Sequence, residues 1–335
     1  MNRTIRSGLM AVISAMLVAA PATAQDGAPA SLGNLKPRPA EIARLATQSL
    51  LLGVVRAGDM LVAVGDRGTI MRSPDGKLWT QVAVPVHATL TAVDFADTAQ
   101  GWAVGHDGAI LHTDNGGASW TLQRYDAAQN QPLLDVVALD TTHALAVGAY
   151  GLMLATADGG QTWAPVNAPA LLEEGLHLNA AIRLGNGALL VVGETGLLGF
   201  STDAGASWKR MPSSYDGSMF GALPVGQSGA LVFGLRGNVL RTEDVQGGYW
   251  TRVDLGSVQS IYGGAQMENG TTVLVGADGA VFLIAPDGTV QRRQYEVDAG
   301  ALGGGSLSGV LPWQQDLLLI GEAGPALAQV AGLKT

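Results

Sequence analysis

Tyr150, Glu173, Glu174, Glu194 and Asp216 are side chains of the types that cleave glycosidic bonds. That chemistry takes two carboxylates facing each other across the scissile bond, or a Tyr nucleophile with a Glu partner. An acidic sugar further requires several converging Arg to hold its carboxylate two-pronged. The spacing here matches no such arrangement, and Arg67, Arg183 and Arg236 are scattered singly. His87, His106, His112, His143 and His177 are equally dispersed, without the close ligand spacing of a metal site, and no Asp-x-Asp-Gly calcium loop occurs. No Gly-rich phosphate cradle precedes a helix, and no Gly-x-Ser-x-Gly elbow joins a strand to one. The residues point to no catalytic centre, no metal and no cofactor. Glycoside hydrolysis is the alternative, and carbohydrate binding without turnover is the third option.

The elements that position these side chains are marked by a repeat. An apolar run ending in Gly-x-x-Gly begins its turn at Gly65, Gly105, Gly148, Gly193, Gly234, Gly276 and Gly321, a period of 40–45 residues. That is the length of one four-stranded propeller blade. Upstream of each turn lies an apolar strand whose third residue is small, as in Leu90-Thr91-Ala92-Val93 and Ile261-Tyr262-Gly263-Gly264. Small residues let neighbouring sheets approach near the axis. The third copy departs from this pattern, with Asp135 in the small position. Downstream of the first five copies comes a polar turn and then Trp, clearest in Ser201-Thr202-Asp203-Ala204-Gly205-Ala206-Ser207-Trp208; the sixth and seventh copies have lost it. Its Asp can accept turn amides and its Trp can pack on the sheet. The pattern predicts an all-β, seven-bladed β-propeller of four-stranded antiparallel blades over residues 40–335. The seventh copy ends soon after its third strand, so Ala40–Leu45 is expected to supply the missing outer strand and close the ring from the N-terminal side.

The Ser/Thr-x-Asp-x-Gly-x-Ser/Thr-Trp turn is the Asp box of BNR-type repeats. Together with seven Gly-x-x-Gly turns, five of them led by Val, it makes the chain resemble the photosystem II stability/assembly factor family of β-propellers. The likeness covers about residues 40–331. His177-Leu178-Asn179 and Tyr215-Asp216-Gly217-Ser218-Met219-Phe220-Gly221 look like motifs of an exported bacterial branch. The resemblance implies a non-enzymatic factor that assembles, stabilises or docks onto an envelope or membrane protein complex.

In a propeller the B-to-C and D-to-A connections share one face, and here their tips vary on a fixed frame, as recognition loops do. The residues expected to bind are Arg67, His106, Tyr150, His177, Asn179, Glu194, Tyr215, Phe220 and Arg236. Tyr215 lies in a loop bounded by Pro and Gly, where core packing does not call for a large ring. The Trp of each polar turn is expected in the core, because its period is the blade period.

Arg3 and Arg6, the uncharged stretch Gly8 to Ala20, and Ala22-Thr23-Ala24 form the pattern of a secretory signal over residues 1–24, with a mature chain from Gln25. Residues 25–39, rich in Ala, Gly and Pro, read as a flexible leader. The apolar stretch is shorter than the roughly 20 residues of a spanning helix, so the chain is not expected to cross a membrane. Losing the signal removes two Arg and no acid, which deepens the formal charge of −9. Such a charge argues against nucleic acid as a partner. With no Cys at all, the chain can carry neither disulfides nor a lipid-modified Cys. A monomer in the periplasm or outside the cell is expected.

Overall fold

The structure, a computed structural model, describes residues 36–297 and 305–330. The predicted signal, and the leader up to residue 35, lie outside the described residues. Seven separate four-stranded antiparallel sheets follow one another along the chain. The second blade is typical: A is Leu90–Phe95, B is Gly101–Gly105, C is Ile110–Thr113 and D is Thr121–Arg124. The seven A strands are Leu51–Ala57, Leu90–Phe95, Leu133–Ala138, Leu178–Arg183, Met219–Val225, Ile261–Gln266 and Leu307–Trp313.

Residue type follows the depth of each strand. The B strands are continuous apolar runs, and those at Gly101–Gly105, Ala144–Gly148 and Leu189–Gly193 are buried throughout. Adjacent blades cover both of their faces. The D strands are short, and Lys209–Met211 and Thr251–Arg252 lie open at the perimeter. Each apolar cluster joins two blades. Trp102, Val104, Leu133 and Val136 fill the seam between blades 2 and 3, and Leu190, Val192, Met219 and Val232 fill the one between blades 4 and 5. As expected, Trp120 and Trp208 are buried, while Trp79, Trp163 and Trp250 are partly buried against these clusters.

The periodic first Gly answers a close approach of backbone. A Cβ on Gly65 would lie 2.0 Å from the carbonyl oxygen of Leu50, and on Gly105 it would lie 2.1 Å from that of Thr89. The chain entering each A strand thus crosses the B strand where a side chain would begin. At the same level every A strand carries a β-bulge. In blade 2, Leu90 pairs with Gly105 and Ala92 with Val104, which leaves Thr91 out of the ladder. The residues bulged out in this way are Leu52, Thr91, Leu134, Asn179, Phe220, Tyr262 and Ser308. A bulge re-aims a side chain, and here it turns one residue per blade toward the axis.

The expected closure by Ala40–Leu45 is corrected by the structure. The outer strand of the seventh blade is Tyr295–Val297, which pairs antiparallel with Ala326–Val330. This strand directly follows the last strand of blade 6, Val290–Arg292, so the 45-residue spacing before Gly321 has room for it. Residues 40–43 run beside blade 1 instead. Ala40 donates its N–H to Val84 O at 3.0 Å, and the Gln81 amide accepts from Ala43 N–H at 2.8 Å and donates to Glu41 O at 3.0 Å. Blades 7 and 1 meet through Leu51, Ala63, Met71 and Ile320, and through a Ser308 hydroxyl donated to Leu51 O.

Candidate docking face and channel mouth

Six of the seven Gly-x-x-Gly turns share one backbone shape, and the seventh, Gly321–Gly324, departs from it. The residue before the second Gly adopts positive φ in each of the six: Arg67, Asp107, Tyr150, Thr195, Arg236 and Asp278, at 50–58°. L-residues rarely hold this conformation, and a β-branched one such as Thr195 least of all. A repeated cost of this kind is borne by the packing beneath it, and it directs these side chains outward on one face.

On that face the structure brings Tyr150, His177 and Glu194 together. The Tyr150 and His177 rings meet edge to face with centroids 4.8 Å apart, and Tyr150 is 58% exposed. Glu194 Oε2 accepts the His177 backbone N–H at 2.9 Å, while Oε1 lies 3.7 Å from His177 Nδ1. The carboxylate therefore pins the histidine, and the histidine pins the exposed ring. Arg67 is exposed and reaches Asp66, whose other oxygen accepts the Thr89 hydroxyl at 3.0 Å. His106 donates its N–H to Thr89 O at 2.8 Å, which joins the tips of blades 1 and 2. No hydrogen bond, ion pair or ring contact among the described residues links this pair to Tyr150.

Tyr215 is not the free loop ring expected. It is half-buried against the cluster of blades 4 and 5, and its hydroxyl donates to Leu235 O at 3.2 Å. Its role is to staple the loop beside Arg236, which is exposed and donates its backbone N–H to Ser260 Oγ at 3.2 Å. Asn179 and Phe220 lie elsewhere, in the ring of bulged residues around the channel. The Asn179 Nδ2 donates to Met219 O of the next blade at 2.8 Å, as Thr91 donates to Leu133 O at 2.9 Å. Phe220 packs on Tyr262 at 5.8 Å between centroids. Tyr262 was not among the expected residues. It holds the same second place in its A strand as Asn179 and Phe220, and that offset was the signal available.

The bulged residues, with Gly and Ala of the A strands beside them, line a cavity of about 270 Å³ whose wall includes Asp135. Its carboxylate accepts the N–H of Val136 and, across the seam to blade 4, that of Ala181, each at 2.9 Å. Asp94 spans the seam from blade 2 to Ala138 in the same way, at 2.9 Å. Burial pushes the Asp135 carboxyl up to about 7, against the pull of the Ala181 and Val136 amides and with a further push from Asp94. Burial likewise raises Asp94 to about 6. On the opposite face Asp203 accepts the Ser201 hydroxyl at 2.8 Å and the Ser207 N–H at 2.9 Å. The Ser207 hydroxyl and amide hold it down to about 2, and Thr162 does the same for Asp158.

A ring of seven four-stranded blades with fixed turns, variable tips and a narrow axial cavity defines a seven-bladed β-propeller. The chain belongs to the photosynthesis system II assembly factor YCF48 family, whose model matches residues 71–133 and 123–298. Over 92 residues it is 29% identical to the chloroplastic photosystem II stability/assembly factor HCF136 of Cyanidioschyzon merolae, a stretch covering 25% of this chain and 21% of that protein. The chain thus spans about a fifth of that relative's length. Among solved structures, YCF48 bound to D1 peptide is 18% identical over 88% of this chain and 99% of its own, with a TM-score of 0.66. YCF48 from Cyanidioschyzon merolae is 17% identical over 87% and 98%, with a TM-score of 0.67. Virginiamycin B lyase from Staphylococcus aureus, at 10% identity over 88% and 98%, reaches 0.70. At these identities the structural likeness shows the fold alone.

Proposed function

We propose that this chain is a non-enzymatic, exported propeller that docks a membrane protein of the cell envelope while its complex is assembled or stabilised. The docking surface is the face of the Gly-x-x-Gly turns. The observation that carries this is the Tyr150–His177–Glu194 group, an exposed ring held rigid by a histidine that a carboxylate fixes. Aromatic anchors on rigid loops supply most of the energy of protein interfaces, because little entropy is lost when they are buried. Membership of an assembly-factor family, and a relative solved with a D1 peptide, support the same role. The described residues hold no helix long and apolar enough to cross a membrane. The signal pattern at 1–24 supports export, and N-terminal sequencing should find Gln25 first.

Two carboxylates considered for hydrolysis are engaged, Glu194 by the His177 amide and Glu174 by Arg210 at 2.6 Å. Fluorogenic glycosides should therefore show no turnover. The decisive experiment is in-cell crosslinking and mass spectrometry with Tyr150→Ala/His177→Ala, against Asp203→Ala on the opposite face. Loss of the captured membrane protein in the first variant alone is expected. Undiminished capture there would refute the assignment of this face.

A further inference from the structure

Resting on that docking face, we propose that the channel mouth is a receptor for a single basic side chain, Lys or Arg, of the docked segment. The axial cavity, and a second depression of about 420 Å³ that shares Leu52, Thr91 and Tyr262 with it, are lined by the acids Asp135 and Glu322 and by no Lys, Arg or His. Three side-chain donors of the ring are engaged, and the Tyr262 hydroxyl is left facing the mouth. Thr91, Asn179 and Ser308 each donate to a carbonyl of the following blade. An incoming group meets acceptors: the Asn179 Oδ1 and the remaining lone pairs of Asp135, whose oxygens each accept one amide. It also meets the aromatic pair Phe220–Tyr262, which favours a cation over its ring faces.

The carboxylates lack a counter-charge. No ion pair among the described residues reaches Asp94 or Asp135, although desolvation raises both and Asp94 adds to the cost of ionising Asp135. Buried charges ordinarily find partners. Asp135 sits one residue below the mouth ring, a step of about 3.3 Å along the strand, well within the span of a lysine stem. An anion would be repelled here, and an apolar side chain would seal Asp135 from water without pairing it. A cation satisfies the carboxylate and lays its stem along Phe220 and Tyr262. The raised Asp135 carboxyl fits this site, because an arriving cation favours its ionised form.

The test uses the purified chain and capped Gly-X-Gly tripeptides with X as Lys, Arg, norleucine or Glu, followed by NMR. Lys and Arg peptides should shift the Val136 and Ala181 amides and bind at least about ten-fold tighter than the other two. Asp135→Asn should remove about ten-fold of that affinity, and Tyr262→Leu, at a 40% exposed position where folding is not at stake, should weaken it in the same direction. Asp158→Asn on the far face should change nothing. Norleucine binding as well as Lys, no peptide binding, or indifference to both mouth variants would overturn the receptor. If the peptides fail while capture still depends on Tyr150 and His177, docking stands and the receptor falls. The opposite pair of results keeps the receptor and removes the rim.

Discussion

On the face of the C-to-D turns, Asp75, Asp158 and Asp203 make the same bonds in three blades, each accepting a Ser or Thr hydroxyl and turn amides. On the opposite face only the framework glycines repeat, and the residues between them differ from blade to blade. The carboxylates divide along the same line. Those of the turns are held below their usual range by hydrogen bonds at the surface, while Asp94 and Asp135 are pushed above it by burial. Repetition marks the positions that backbone geometry constrains, and variation marks those left to recognition.

The largest effect should come from the framework itself. Gly65→Ala places a Cβ 2.0 Å from Leu50 O, which is backbone and cannot step aside. It should cost about 3 kcal/mol or more, whereas Arg67→Ala on the same turn should stay within about 0.5 kcal/mol. Denaturant unfolding of the two variants checks the contrast, and equal losses would erase the division between frame and tip.

The second effect is one of pH. Asp135 is raised to about 7 from 3.8, so its protonated form favours the fold. The stability it contributes is complete below its unfolded value and is lost as pH rises toward 7. Each unit is worth about 1.4 kcal/mol, so the loss reaches up to about 4 kcal/mol across the window. Asp135→Asn should flatten the fall in melting temperature between pH 4 and 7. Asp203 runs the other way: its contribution is present above 3.8 and lost as pH falls toward about 2. Asp203→Ala should lower the melting temperature at pH 7 by a few degrees, and by less in acid. A common pH profile for the two variants would contradict the opposite environments of the two faces.

The smallest effect is expected at Thr195, where φ is +50°. Thr195→Gly should stabilise by about 0.5–1 kcal/mol, since Gly adopts this conformation freely. A loss instead would mean that the threonine side chain itself holds the turn.

Much of the fold was legible because close backbone contacts leave little choice of residue. The glycine period reports seven carbonyls crossing seven B strands. The outer strand of blade 7 was not legible, since Tyr295–Val297 packs only two side chains, Tyr295 and Val297, on the cluster of blades 6 and 7, too few to show a period. At the candidate site, the tips were singled out because they vary, and of these the structure brings Tyr150, His177 and Glu194 together. Tyr215 misled because its partners, the Leu235 carbonyl and the blade 4–5 cluster, are distant in the chain. Asp135 showed itself as an exception in a position of small residues, but its bond to Ala181 of the next blade needed the ring to be closed.

The inner ring of bulged residues is stitched unevenly. Side-chain hydrogen bonds cross from Thr91 and Asp94 to blade 3, from Asp135 to blade 4, from Asn179 to blade 5 and from Ser308 to blade 1. On either side of blade 6 the corresponding residues are Phe220 and Tyr262, and between blades 1 and 2 it is Leu52; none of the three puts such a bond across its seam. Directional bonds resist shear, while stacked apolar surfaces slide and part. Under tension the ring should part first at one of these three seams. The join between the first and last blades, where the chain itself is discontinuous, is better riveted than any of them.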